Sequence, residues 1–258
     1  MKKERPILFS SPMVQALLAG RKTQTRRATH DNGESLIEYR YVKDNPTYPE
    51  MWKGKKSEPY TGWMAVFNNH PLAMPRSCPY GEMGDLLWVR EEHYAYGWWE
   101  KNGLTKTGKQ KWKFIRSDDP TFGIYFDDTK PEGLRVRQNN YRGHGWYKRL
   151  ARFMPRKYCR IWLEITDIRV ERVQAISEED AMAEGVESWV EERLKSKPVH
   201  YKVYYNGPGD DSTYSSSASV SFETLWQKIN GAESWQANPW VWALSFKVLS
   251  INGKPETL

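Results

Sequence analysis

Cysteine is scarce. The chain has two, Cys78 and Cys159, and they form no C-x-x-C pair. That spacing lends no support to a disulfide framework or a zinc ribbon, and a reducing, cytoplasmic setting is expected. The five histidines, His30, His70, His93, His144 and His200, stand apart from one another and read as structural or solvated. With no H-E-x-x-H and no cysteine cluster, metal-free chemistry is the expectation, and no cofactor is expected either. Long apolar runs are also missing. Pro6 to Phe9 is followed by Ser10, Ser11, Pro12 and Gln15, so neither a signal peptide nor a membrane span is expected.

What the chain does have is aromatic and basic. Among 258 residues there are 13 Trp and 15 Tyr, yet only 39% are hydrophobic and 28% are charged. Interior side chains that are few and large suit a small barrel with long outer loops. The formal charge is +7, and it is unevenly spread. Nine basic residues lie between Gly133 and Leu163, among them Arg149, Arg152, Arg156 and Lys157, and no Asp or Glu interrupts them. That segment carries the whole excess. Trp146, Tyr147, Phe153 and Tyr158 are interleaved with the cations. Cations hold phosphates and aromatic faces stack on bases, so RNA or a nucleotide is the expected partner; the plainer reading is a basic surface patch.

The most concentrated stretch is Gly20-Arg21-Lys22-Thr23-Gln24-Thr25-Arg26-Arg27, with one glycine, four cations and two threonines. A short helix precedes it. Ser11 suits the N-cap, Pro12 the first turn, Met13 with Leu17 and Val14 with Leu18 one buried face, and Gly20 a left-handed stop. Thr23, Thr25 and Arg27 then alternate as on a strand. In an ideal strand Lys22 faces away from Thr25 and Arg27, so it joins them only if the turn is still in progress at Lys22. The stretch reads either as the floor of a nucleotide-sized pocket or as a solvated basic turn.

Further along, 28–76 reads as loops and short hairpins and 94–150 as aromatic strands and loops. Gly84 to Glu91 is a turn entering a buried strand. Ile161, Leu163 and Ile165 alternate, and the phase slip to Ile168 and Val170 suggests a bulge near Asp167. Ser177 with Asp180 resembles a capping box and Gly185 a stop, which sets Glu184 at the last position of a two-turn helix. A carboxylate at that end of the dipole costs roughly 0.3–1 kcal/mol. A cation such as Lys22 or Arg27 would hold it there; a solvated glutamate is the plainer reading. Residues 187–220 open as a helical continuation around Trp189, Val190 and Leu194 and close in a Gly- and Ser-rich flap or loop. A helix capped by Ser221 and stopped at Asn230-Gly231 follows. The final strand has Trp240, Trp242, Leu244, Phe246 and Val248 as its buried face.

Gly20, Lys22 and Arg27 match the G-x-K-x-x-x-x-R signature of the ASCH domain, a branch of the PUA-like superfamily. The stretch Gly84 to Glu91 resembles the GD-x-L-W-V-R-E strand of phage and prophage ASCH-like proteins, and 176–186, 222–230 and 238–242 resemble them too. The likeness covers about half the chain: 5–27, 78–92, 153–187 and 221–249. It implies an α+β fold, a PUA-like small mixed β-barrel with short flanking helices, formed by one domain over 1–258 with long insertions at about 28–76, 94–150 and 187–220. It also implies an amidohydrolase that removes acetyl from N(4)-acetylcytidine-type nucleosides without metal. The catalytic set would be Lys22, Thr25 and Glu184, with Gly20, Arg26, Arg27 and Trp88 at the substrate. Arg149, Arg152, Arg156 and Lys157 are the expected nucleic-acid contacts. Two other outcomes stay open within this superfamily: a non-catalytic reader of RNA or a modified base, and a ribonuclease.

Overall fold

The computed structural model of the chain describes residues 2–29, 36–45, 60–67, 74–75, 77–138, 140–205 and 213–256. Strand β1 (Glu4–Leu8) leads into helix α1 (Ser11–Leu18) and strand β2 (Gln24–Ala28). β3 (Leu36–Asn45), β4 (Tyr60–Phe67) and β5 (Met74–Pro75) follow, then β6 (Leu86–Arg90), β7 (His93–Leu104), β8 (Gln110–Arg116), β9 (Ile124–Tyr125) and β10 (Gly145–Arg149). β11 (Trp162–Arg172) precedes α2 (Glu178–Ala183). β12 (Ser188–Val190), β13 (Val199–Lys202) and β14 (Tyr214–Ser215) lead to α3 (Ala218–Asn230) and β15 (Trp240–Ser250). The fold is mixed α+β, mostly sheet with few helices. Among the described residues no sheet closes into a barrel, and no helix is long and apolar enough to cross a membrane.

A five-stranded sheet has the order β1-β6-β11-β15-β2. β15 pairs antiparallel with β2, Leu244 opposite Thr25 and Ala243 opposite Arg26. Val241 and Ala243 are as buried as Trp242 and Leu244, and Val248 is exposed, which corrects the expectation of one buried face. Val241 packs into an apolar cluster with residues of α2 and α3 while Trp242 meets Tyr39 of β3, so both faces of the strand are covered. β11 continues as strand through Asp167, the position at which a bulge or bend was expected.

The chain divides into two units: Met1–Arg5, Ala16–Leu86 and Glu164–Val248 form the first, and Pro6–Gln15, Leu87–Leu163 and Leu249–Leu258 the second. In the first, Val173, Ile176, Ala181, Val186, Ala218, Phe222, Trp226 and Val241 pack into one apolar cluster that seats α2 against α3. The stretch 28–76 supplies the antiparallel sheet β3-β4-β5, with Tyr39 edge-on to Trp240 and Trp242. The second unit is built on β10-β7-β8, with β9 pairing β7.

Two expectations fail in the first unit. Residues 187–220 do not open as a helix: Trp189 and Val190 lie on β12, paired with His200 and Val199. The flap expected at Gly207 to Asp211 lies outside the described residues. Helix α3 begins at Ala218, not after Ser221. Ser217 is its N-cap, accepting from Val220 N, while the Ser221 hydroxyl is turned inward to donate to Lys202 O at 2.6 Å.

Candidate functional site

The signature stretch is held by the ends of two helices. Gly20 takes φ +70° at the end of α1, and both Arg21 N and Lys22 N donate to Ala16 O, at 2.9 and 3.1 Å. The turn is thus still in progress at Lys22, the condition on which its joint role depended. The same segment then closes the C-terminus of α2, whose last carbonyls have no partner within the helix. Thr23 N donates to Ala183 O at 2.8 Å, Lys22 Nζ to Glu184 O at 2.7 Å, and Arg21 Nη1 to Gly185 O at 3.3 Å. Gly185, at φ +83°, makes this approach possible: a Cβ there would stand 2.9 Å from Lys22 Cβ and 2.9 Å from Ala16 Cβ.

Lys22 Nζ also donates to Glu184 Oε2 at 2.9 Å and to Gln24 O at 2.8 Å. Side-chain exposure is 0% for Lys22 and 4% for Glu184. Three acceptors suit the protonated ammonium, which has three N–H groups to give. Burial nevertheless pulls the Lys22 pKa down, Glu184 opposes that pull, and the charges of Arg27 and Arg26 add to it.

A second layer surrounds the pair. Arg26 donates through Nη2 to Glu171 at 2.6 Å and to Asp180 at 2.7 Å, and through Nη1 to Gln24 Oε1 at 2.9 Å and to Glu184 Oε1 at 3.3 Å. Gln24 Nε2 and Arg169 Nη2 also donate to Asp180, at 3.0 and 2.8 Å. Arg26 reaches Glu171 across β15, where the small Ala243 lies opposite it. Lys22, Arg26 and Arg169 thereby face Glu184, Glu171 and Asp180. Burial raises the Asp180 carboxyl, but the hydrogen bonds from Arg169, Gln24 and Arg26 outweigh it and hold the group below its usual range.

Lys22, Arg26 and Glu184 therefore meet. Thr25 is buried on β2, and strand alternation sets it with Arg27 on the face opposite Gln24 and Arg26. No hydrogen bond joins its hydroxyl to Lys22 or Glu184 among the described residues. Gly20 is exposed in the turn. Trp88 is half-buried on β6 in the second unit, with the Arg90 guanidinium 5.5 Å from its ring. Arg152, Arg156 and Lys157 are exposed in the same unit, and Arg149 is half-buried among rings.

Gln24, Glu171, Asp180 and Arg169 are absent from the sequence-based site. Asp180 was findable: it precedes Glu184 by four residues, one helical turn, on the same face. Asp180 also completes only half of the expected capping box. Ser177 Oγ accepts from Asp180 N at 3.1 Å, while the Asp180 carboxylate serves Gln24, Arg26 and Arg169.

A buried ammonium against a carboxylate can stabilise a developing negative charge and pass a proton. No group of three His, Cys, Asp or Glu is placed to hold a metal ion among the described residues. Comparison of the chain with protein-family models, with curated proteins and with solved structures gives no match.

Proposed function

We propose that the chain is an ASCH-type protein, one PUA-like domain with a small mixed barrel and insertions, that hydrolyses the amide of an N(4)-acetylcytidine-type nucleoside. The observation that carries the reading is the buried contact of Lys22 Nζ with Glu184 Oε2 at 2.9 Å, between residues 162 apart in sequence. In this reading the Lys22 ammonium exchanges one of its backbone acceptors, Gln24 O or Glu184 O, for the oxyanion formed at the acetyl carbonyl, and Glu184 accepts the proton released on attack. Thr25 supplies the hydroxyl that attacks or that orients water. When Thr25 orients water, the water adds to the carbonyl, the C–N bond breaks, the proton passes to the cytidine amine and acetate leaves; when Thr25 attacks, the protonated amine leaves first and a water then cleaves the acetyl-threonine ester to release acetate. Gly20, Arg26 and Arg27 border the substrate; Arg26 does so through Glu184, since its own donors are engaged by carboxylates.

The test is incubation with N(4)-acetylcytidine and chromatography for cytidine, with Glu184→Gln and Lys22→Met beside the wild type and circular dichroism to confirm folding. Release by the wild type, lost in folded variants, is the expected result. A wild type that releases no cytidine sinks the reading.

A second reading, a non-catalytic RNA binder, is favoured by a different observation. Arg152, Phe153, Arg156 and Lys157 are all exposed on two single-turn 3-10 helices, Ala151–Phe153 and Arg156–Tyr158. Absence of cytidine release together with RNA affinity that drops steeply with salt would select it.

A further inference from the structure

The second unit holds cations that its acids do not answer. Arg160 takes both carboxylate oxygens of Glu91 and both of Asp128, at 2.7 to 2.9 Å, and Lys148 takes Glu92 at 2.9 Å. Arg90, Arg116 and Arg149 have no carboxylate partner among the described residues.

Register explains how they gather. In the sheet β10-β7-β8, Arg149 stands opposite His93 and Arg116 opposite Gly97. His93 and Gly97 are separated by an even number of positions on β7, so both arginines emerge on one face, and Gly97 puts no side chain between them. The Arg149 guanidinium lies 4.2 Å from the Phe114 ring and 4.8 Å from that of Phe153; the Arg116 guanidinium lies 4.2 Å from Tyr158. Arg90 ends β6, three residues before His93. Burial first, then the charges of Arg149, Arg116 and Arg90, lower the His93 imidazole to about 4, in keeping with cations gathered on its side of the sheet. Arg116 Nη1 and Arg90 Nε are buried with no hydrogen-bond partner among the described residues.

A buried charged donor without an acceptor is costly, so native proteins rarely leave one unless a ligand supplies the acceptor. Stacking on rings holds a guanidinium in place but satisfies none of its N–H groups. A phosphate offers several charged acceptor oxygens and matches the planar fork of arginine.

We infer that Arg90 and Arg116, which carry unanswered buried N–H groups, and Arg149, which shares a sheet face with Arg116 and has no carboxylate partner among the described residues, form a binding site for the phosphate of a nucleotide or polynucleotide. Phe153, 50% exposed beside Arg149, offers a face on which the adjoining base stacks. The inference does not rest on the amidohydrolase reading, whose readout is cytidine release rather than binding.

The test is fluorescence anisotropy with a labelled oligocytidylate, competed by cytidine, cytidine monophosphate and unlabelled oligocytidylate. The wild type is expected to bind, and Arg116→Gln and Arg149→Gln each to weaken binding about tenfold or more, the loss of one charge-assisted contact. Lys106→Gln, an equal loss of charge on an exposed loop, is expected to change binding little. Competition by cytidine monophosphate but not cytidine assigns a free phosphate ester; competition by the oligonucleotide alone assigns the phosphodiester chain. Melting temperature is expected to hold or rise in both arginine variants, because mutual repulsion is relieved. If Arg116→Gln fails to fold, Arg116→Lys takes its place, with an intermediate loss expected. No binding by the wild type, equal losses in Lys106→Gln, or unchanged affinity with a lowered melting temperature would each overturn the inference.

Discussion

Lys22 and Glu184 show how a residue acquires its setting from a partner far along the chain. The unfavourable place of a carboxylate at the end of α2 leaves two readings open, a solvated glutamate, the plainer one, or a carboxylate held by a cation. Lys22 holds it, binding both the carboxylate and the carbonyl of Glu184. Arg26 is a second cation hydrogen-bonded to Glu184, turned by alternation along β2 to the side of Gln24, and the charge of Glu184 also acts on Arg27. Removing one member of a buried ion pair strands the other, at about 3–5 kcal/mol. Lys22→Met is expected to lose that much in urea denaturation, and adding Glu184→Gln to restore part of it; additive losses would deny the coupling. Gly185→Ala is expected to cost about 1–2 kcal/mol for the left-handed backbone alone, and more as the new methyl displaces Lys22. Equilibrium unfolding of that variant measures it.

At the scale of elements, caps explain both the successes and the misses. Helix α2 is capped by Ser177 at its start and ends just before the left-handed Gly185, as the local chemistry indicates. Helix α3 does not begin where its own serines suggest. Glu178 of α2 accepts from Ala218 N at 2.6 Å and from the hydroxyls of Ser217 and Ser219, fixing the start three residues before Ser221. Several serines in a row can each cap a helix, and a tertiary acceptor chose among them. Glu178→Ala is expected to cost about 1–2 kcal/mol and to fray the first turn of α3. Chemical denaturation gives the first quantity, and amide exchange at Val220 and Ser221 the second.

The whole molecule carries its charge in balanced clusters as well as in excess. The acid-free run of cations finds acids elsewhere, in Glu91, Glu92 and Asp128, so its charge in sequence overstates its field in space. One consequence is readable by pH. An unfolded histidine takes up a proton near 6.5, whereas burial holds folded His93 neutral down to about 4. Between those values the unfolded state binds more protons, so stability falls as pH drops from 6.5 to 4, by at most about 3 kcal/mol. His93→Phe is expected to flatten that slope in urea titrations across the window. Below it, Asp180 contributes loss of the same sign: its folded carboxyl lies below the ordinary 3.8, so its stabilisation is present above that value and disappears as pH falls through the lowered one.

Local chemistry by itself determined the mixed α+β content, the short helix before Gly20 and the stop at Gly185, and it raised a cation near Glu184 only as the less plain of two readings. Each rests on a residue's own backbone preference or on a periodicity within a few positions. Contacts distant in sequence decided which cation answers, where α3 begins, why both faces of β15 are buried and which arginines lack acids. Those outcomes depend on which strands lie side by side, and neighbours in a sheet are chosen by the whole chain.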